Sequence, residues 1–413
     1  VPMKYVIIGA GPAGINAAAM LRKADPRGSV TVLSGEDVPP YAKMVLPYLL
    51  SGAAEEKNLY LQVPEGVTLR KGRRAVRIDP KKRLVETDDG KTVPYGRLLI
   101  ATGGVPERPA IEGSDLPFVA TIRDLPDVRR IQERLPGKTR HAVIAGAGPV
   151  GMETGDALHR LGMKVTFVVT SNRVFSTMLD ARAAAVVEDR LRREGVEIFR
   201  GDDIVRIAPN GKVTLKSGTE TDCDLVVFGK GVKPCAAFLE SSGIAIGRGI
   251  LVDEHMETNV PGIFAAGDVA EAKDLIAGER KVNALWPVAI EQGRVAASDL
   301  IVAGREPPQD LVDAFVVPVL PDQRAKAGIA LDGVQLSRRE AQVEPREDLD
   351  GVGAGQDAAG VAAGEGSRFK EELGVVIVQF VVATVDFLIV HSQNSVVRSG
   401  MGLCWAHRAA QFG

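Results

Sequence analysis

The sequence predicts an α/β protein made of two Rossmann-like three-layer units, one inserted into the other, plus an uncertain C-terminal region. Three observations predict it. A strand, a GxGxxG turn, a helix and a second strand occupy residues 5–33, and the same unit recurs over 141–169. A second echo follows each copy in the same order: LLIATGGVP at 98–106 resembles VVFGKGVKP at 226–234. Beyond both copies, a further strand ends in Gly267-Asp268.

In the first unit, Tyr5-Val6-Ile7-Ile8 leads into Gly9-Ala10-Gly11-Pro12-Ala13-Gly14, then a helix from Ile15, then Val30-Thr31-Val32-Leu33. Each glycine has a physical reason: a tight turn, a backbone approach to a pyrophosphate, and close helix packing. The pyrophosphate sits at the positive end of the helix. The second unit runs from His141 to Ala145 into Gly146-Ala147-Gly148-Pro149-Val150-Gly151 and on to Val165–Val169. Duplicated units imply two bound dinucleotides and electron passage between them. An acid about 20 residues past such a motif contacts the adenosine ribose, and Glu36, next to Asp37, holds that place. Asp268 can hydrogen-bond a ribityl hydroxyl, or cap the next helix.

Composition excludes other classes. The 413 residues carry 51 Lys+Arg against 53 Asp+Glu, a net charge of −2, which argues against a nucleic-acid binder. The three cysteines, Cys223, Cys235 and Cys404, form no CxxC pair, and the five histidines show no metal spacing. A reducing, cytoplasmic setting is expected, and the N-terminus does not read as a secretory signal. The apolar run at 375–390 contains Gln379 and Asp386 and is shorter than the ~20 residues of a membrane span, so buried strands are expected there.

These motifs resemble the FAD-dependent pyridine nucleotide-disulfide oxidoreductase superfamily. GAGPAG, ATGGVP, GAGPVGMET, VVFGKGVKP, GIFAAGDVAE and NALWPVAIEQGRVAA stand in family order from residue 3 to about 305. The resemblance implies an FAD domain in two pieces, 1–110 and 236–305, an inserted NAD(P) domain at 111–235, and a C-terminal region from 306 to 413. Residues 337–373 are polar and rich in Gly and Ala, so the family's interface domain is not recognisable there. A divergent domain and a frame-shifted tail are both open. A homodimer is possible on the family pattern.

The family's redox-active cysteine is absent. Met44 stands where a single cysteine would precede Leu46-Pro47-Tyr48, so no thiol redox chemistry is expected. What remains resembles rubredoxin and ferredoxin reductases and the N-terminal part of nitrite reductase large subunits, with Tyr41-Ala42-Lys43 in place of their Tyr-x-Arg/Lys. Lys43 is expected near the flavin, where a cation stabilises the reduced ring. The resemblance places Gly9, Gly11, Ala13 and Gly14 at the FAD pyrophosphate and Val76 at adenine. It sets Ala101, Thr102 and Gly103 on the diphosphate side, Gly267 and Asp268 at the ribityl chain, and Trp286 by the isoalloxazine. Gly146, Gly148 and Gly151 would hold the NAD(P)H pyrophosphate, Glu153 the nicotinamide end, and Gly231 would close the loop. Lys43, Glu153 and Trp286 are the expected catalytic residues.

The expected activity is hydride transfer from NAD(P)H to FAD, then electron transfer to an external acceptor: a small electron-transfer protein, a partner reductase or oxygen. The alternatives are a slowly turning redox sensor and a subunit of a larger reductase. Aligning the two repeats on their second strands puts Val169 where an acid would discriminate against NADPH. Thr170-Ser171-Asn172-Arg173 follows without an acid, so both nicotinamides are expected to serve, Arg173 accepting a 2′-phosphate.

Overall fold

The computed structural model describes residues 2–135, 140–274 and 278–302. The C-terminal region from 306, with the apolar run at 375–390, Cys404, His391 and His407, lies outside the described residues. No helix among the described residues is long and apolar enough to cross a membrane.

The chain opens with β1 (Lys4–Ile8), α1 (Pro12–Ala24) and β2 (Ser29–Leu33). α2 (Leu46–Leu50) and β3 (Val67–Arg70) follow, then a meander of β4 (Ala75–Asp79), β5 (Leu84–Thr87) and β6 (Thr92–Pro94), then β7 (Arg97–Ile100). β8 (Gly104–Pro106), β9 (Val119–Ala120) and α3 (Leu125–Arg134) lead to the second copy. It holds β10 (His141–Ala145), α4 (Pro149–Arg160), β11 (Lys164–Val169), α5 (Ala181–Arg193) and β12 (Glu197–Arg200). A meander of β13 (Ile204–Ile207), β14 (Lys212–Leu215) and β15 (Glu220–Asp222) precedes β16 (Leu225–Phe228). β17 (Val232–Pro234), β18 (Ile250–Leu251), β19 (Ile263–Ala265), β20 (Ala270–Lys273), β21 (Arg280–Lys281) and α6 (Trp286–Val302) complete it.

Two five-stranded parallel sheets carry the same order, β19-β7-β1-β2-β3 and β9-β16-β10-β11-β12. Their central strands, KYVII and HAVIA, are buried on both faces, as parallel strands flanked by helices and meanders must be. The fifth strand shows the insertion. β19 follows the second lobe in sequence yet pairs with β7, whereas β9 precedes the second lobe and pairs with β16. The two chain crossings between the lobes, β8 and β17, pair antiparallel with each other. The Thr102 hydroxyl ties this ribbon to the first lobe by donating to the Cys235 carbonyl at 2.8 Å.

α1 and α6 cover one face of the first sheet. Small residues let them touch: a Cβ on Gly293 would lie 2.3 Å from the Ala13 carbonyl oxygen. The expected boundary at 110 does not divide the cores. Tyr41, Leu46, Leu50 and Leu59, from the first lobe's sequence, are buried in one apolar cluster with Leu125, Ile144, Leu158 and Phe167 of the second. Segment 41–60 is thus the packing link between the lobes. The Nη2 of Arg129 on α3 donates to both Glu56 carboxylate oxygens at 2.9 Å, and Gln132 donates to the Leu49 carbonyl.

Gly293→Ala should force α6 off α1. A fall in stability of about 1–3 kcal/mol is expected, read as a lower midpoint in thermal or denaturant unfolding. An unchanged midpoint would show that the contact is not tight.

Candidate functional site

Each lobe ends its first strand in a glycine held close to a neighbouring strand. Gly9 donates its N–H to the Leu33 carbonyl, and Gly146 to the Val168 carbonyl, both at 2.8 Å. At φ of +112° and +109°, a Cβ would fall 2.1 Å from the Ala101 oxygen and 2.3 Å from the Gly229 oxygen. Only glycine fits, because an L-residue there is both left-handed and overlapping. Gly14 and Gly151 press in turn on the Gly9 and Gly146 carbonyls, at 2.0 and 2.2 Å from a built Cβ. Gly11 and Gly148 differ: a Cβ on either meets nothing within 4 Å. These two N-caps face open space, and neither helix start has a side-chain cap or a first-turn acid. α3 and α5, by contrast, are capped by the side chains of Asp124 and Asp180. The free N–H groups of α1 and α4 are thus positioned for an anion.

Around the first cradle, Ala101 is buried below Gly9, and Thr102 and Gly103 hold the crossing at Cys235. Ala13 packs under α6 beside Gly267, whose N–H donates to the Gln292 side chain at 2.9 Å. Asp268 follows, half-buried, and burial raises its pKa while Arg123 opposes the rise. The Nη1 of Arg123 is itself buried and has no hydrogen-bond partner among the described residues. An orphaned guanidinium nitrogen close enough to act on Asp268 fits a phosphate, which would satisfy it. The sequence reading missed Arg123. Its signal, an Arg just before the capping Asp124, resembles any solvated loop charge.

Val76 sits at a bulge, since the β4–β5 register slips between Ala75 and Arg77. Its backbone groups are released from the ladder there, which suits a backbone contact to a ring. Trp286, half-buried, opens α6. Gly231 is exposed with φ +96°, beside Lys230, which pairs with Asp203 at 2.5 Å.

Glu36 and Lys43, expected at opposite ends of one dinucleotide, are paired at 2.5 Å. The Tyr41 hydroxyl joins them: it donates to the second Glu36 oxygen at 2.6 Å and accepts from Lys43 and from the Leu125 N–H. Burial and Glu36 push the Tyr41 pKa far up, so it remains a donor.

In the second lobe, Glu153 lies in the first turns of α4. Burial, with Asp156 adding to it, pushes its carboxyl up to about 7. Tyr48 of α2 faces the same helix and feels the Glu153 and Asp156 charges. The two cysteines within the described residues differ: Cys223 is buried, its thiol pushed up to about 12, and Cys235 sits on the crossing. Met44 is half-buried beside Lys43.

Val169 is not the counterpart of the ribose acid. It is 4% exposed, with its side chain in the inter-lobe core. Three backbone bonds fix the true register. The Leu33 and Val168 carbonyls accept from the cradle glycines, those of Ser34 and Val169 accept from Arg73 and Asp202, and those of Glu36 and Ser171 accept from Gly72 and Gly201. Ser171 therefore stands where Glu36 stands. Arg173 is committed to its own loop, donating to the Leu179 and Ser176 carbonyls.

The chain is similar to proteins of known type. The family model for pyridine nucleotide-disulphide oxidoreductase matches residues 3–293. NADH-dependent phenylglyoxylate dehydrogenase subunit epsilon of Aromatoleum evansii is 34% identical over 305 residues, 71% of each chain. Rubredoxin-NAD(+) reductase of Pseudomonas putida is 30% identical over 308 residues, covering 72% of this chain and 80% of that one. The crystal structure of the covalent putidaredoxin reductase-putidaredoxin complex superposes with a TM-score of 0.69 at 27% identity, covering 74% of this chain and 76% of that one.

The raised Glu153 pKa has a definite sign. The folded state keeps a proton that the unfolded chain releases near pH 4.5, so stability falls as pH rises from about 4.5 to about 7. Glu153→Gln escapes that loss. Its melting temperature relative to wild type should rise from about pH 5 to about pH 7 and level off above it, and a constant difference would refute a raised pKa.

Proposed function

This chain belongs to the pyridine nucleotide-disulphide oxidoreductase family, and on that premise we propose that it passes electrons from NAD(P)H through FAD to a separate acceptor, foremost a small electron-transfer protein. It is an NAD(P)H oxidoreductase, and FAD and NAD(P)H are its cofactors. When bound, FAD accepts a hydride from the reduced nicotinamide and releases the electrons onward.

The chain's own residues bind and orient. The free N–H groups at Gly11 and the start of α1, with Arg123, would take the FAD pyrophosphate. Asp268, beside the left-handed Gly267, would accept from the ribityl hydroxyls. Glu36 and Tyr41 would hold the adenosine ribose. We assign Lys43 to that same end, because its ammonium neutralises Glu36, and so not to the flavin ring. The N-terminus of α4 at Gly148 would take the nicotinamide cofactor's pyrophosphate. Glu153 would meet its nicotinamide end with a carboxyl that is part protonated near neutral pH.

The observation that carries the external acceptor is Met44. A thioether in place of a thiol cannot store a redox equivalent beside the flavin, and burial keeps the Cys223 thiol protonated. The names of two similar proteins, a rubredoxin reductase and a reductase complexed with putidaredoxin, support a small protein acceptor. A second reading, electron supply within a larger complex, is favoured by the relative named as a subunit.

Anaerobic titration with NADH or NADPH should consume one two-electron equivalent per flavin, and cysteine alkylation should leave turnover intact. A second equivalent would sink the proposal. Asp268→Ala should weaken FAD retention by about 1.5–3 kcal/mol, for the loss of a charged hydrogen bond, measured by reconstituting the deflavinated protein.

A further inference from the structure

The two lobes share one pattern of backbone hydrogen bonds at the corner where a dinucleotide's adenosine ribose would lie. Gly72 and Gly201 are both left-handed, at φ +58° and +67°. A Cβ built on Gly72 meets the Asp37 side-chain oxygen at 3.4 Å, and one built on Gly201 meets the Asn172 side-chain oxygen at 3.2 Å. Together with the backbone bonds above, this equates Glu36-Asp37 of the first lobe with Ser171-Asn172 of the second. The acid pair of one lobe is a neutral pair in the other.

The surroundings differ in the same direction. Asn172, Ile198, Phe199, Arg200 and Asp202 line an open cavity of about 520 Å³ past the ends of β11 and β12. Arg200 is half-exposed, and its Nη1 donates to Glu188 at 3.0 Å. Glu188 is 3% exposed on its side chain and also takes Arg192, so the pair holds the Arg200 guanidinium in place rather than leaving it to wander. Asp202 is the one carboxylate among the lining residues. Its Oδ1 accepts from the Asp203 and Ser217 N–H groups at 2.8 and 3.1 Å, which spreads its charge into the meander.

We infer that this corner admits the 2′-phosphate of NADPH, with Arg200 as the cation that meets it, Asn172 as a neutral donor, and Ser171, whose hydroxyl donates to the Arg173 carbonyl at 2.7 Å, as an uncharged residue in the place of an acid. The inference rests on the proposed nicotinamide site. A carboxylate at the ribose accepts from a 2′-hydroxyl and repels a 2′-phosphate. Serine and asparagine carry no charge to repel a phosphate, and the Asn172 amide can donate to its oxygens. A guanidinium adds a charge-assisted bond. Arg173, the nearest cation in sequence, is spent on its own loop, which leaves Arg200 to discriminate.

The test is calorimetric binding of 2′,5′-ADP and 5′-AMP to the flavin-loaded full chain, a readout independent of turnover. The wild type should bind 2′,5′-ADP at least as tightly as 5′-AMP. Ser171→Glu should weaken 2′,5′-ADP about tenfold and leave 5′-AMP unchanged. Arg200→Gln should do the same, with Glu188 still held by Arg192. Asn172→Glu, at an exposed position, repeats the Ser171→Glu experiment should that variant fold poorly. A wild type that already binds 2′,5′-ADP tenfold more weakly than 5′-AMP overturns the inference. So do variants that lose both ligands equally. If neither ligand binds while NADH still reduces the flavin, the ribose corner is misplaced although the proposed function stands. If NADH fails to reduce it, the proposed function falls as well.

Discussion

The structure turns on two backbone contacts, Gly9 against the Ala101 carbonyl and Gly146 against the Gly229 carbonyl. Each brings the end of a first strand hard against the strand beside it, with no room for a side chain. The following helix then starts in the open, with free N–H groups and a dipole that favours an anion. A methyl group at either glycine would lift the turn and tilt the helix. The sheet order, the helix starts and the positions of Gly14 and Gly151 all follow from that closeness.

A second constraint joins the lobes. Segment 41–60 leaves the first sheet and buries Leu46, Leu50 and Leu59 among residues of the second. Apolar burial of this extent disfavours independent swinging of the lobes. Tyr41 places the junction next to the proposed adenosine ribose site: one hydroxyl contacts Glu36, Lys43 and the start of α3. One phenol thus links the Glu36–Lys43 pair to the start of the helix that introduces the second lobe.

The duplication has diverged where chemistry requires it. Both copies keep the glycine contacts, the bulged meander and the left-handed Gly72 and Gly201, which are backbone requirements. The polar residues on that shared frame have changed. Where Glu36-Asp37 stand in the first lobe, Ser171-Asn172 stand in the second, and α4 carries Glu153 in its first turns. Its burial holds it near the protonation midpoint at neutral pH.

The sequence by itself determined the two units and their order, while the insertion followed from the resemblance of its motifs to a family. Glycine spacing and runs of buried β-branched residues are local signals, and a parallel sheet requires both. It also marked Met44 as the replaced thiol, because that statement concerns a residue type at a position. Only the tertiary structure decided which charges meet. Lys43 is seven residues from Glu36, and nothing in that spacing says that they pair. Arg123 became notable only when burial left one of its nitrogens without a partner. Val169 and Ser171 differ by two positions on a loop, and hydrogen bonds from Gly201 and Asp202 identified which of them answers to Glu36. Secondary structure follows from periodicity along the chain. The side chains gathered at a site depend on contacts between distant segments, and no local pattern encodes those.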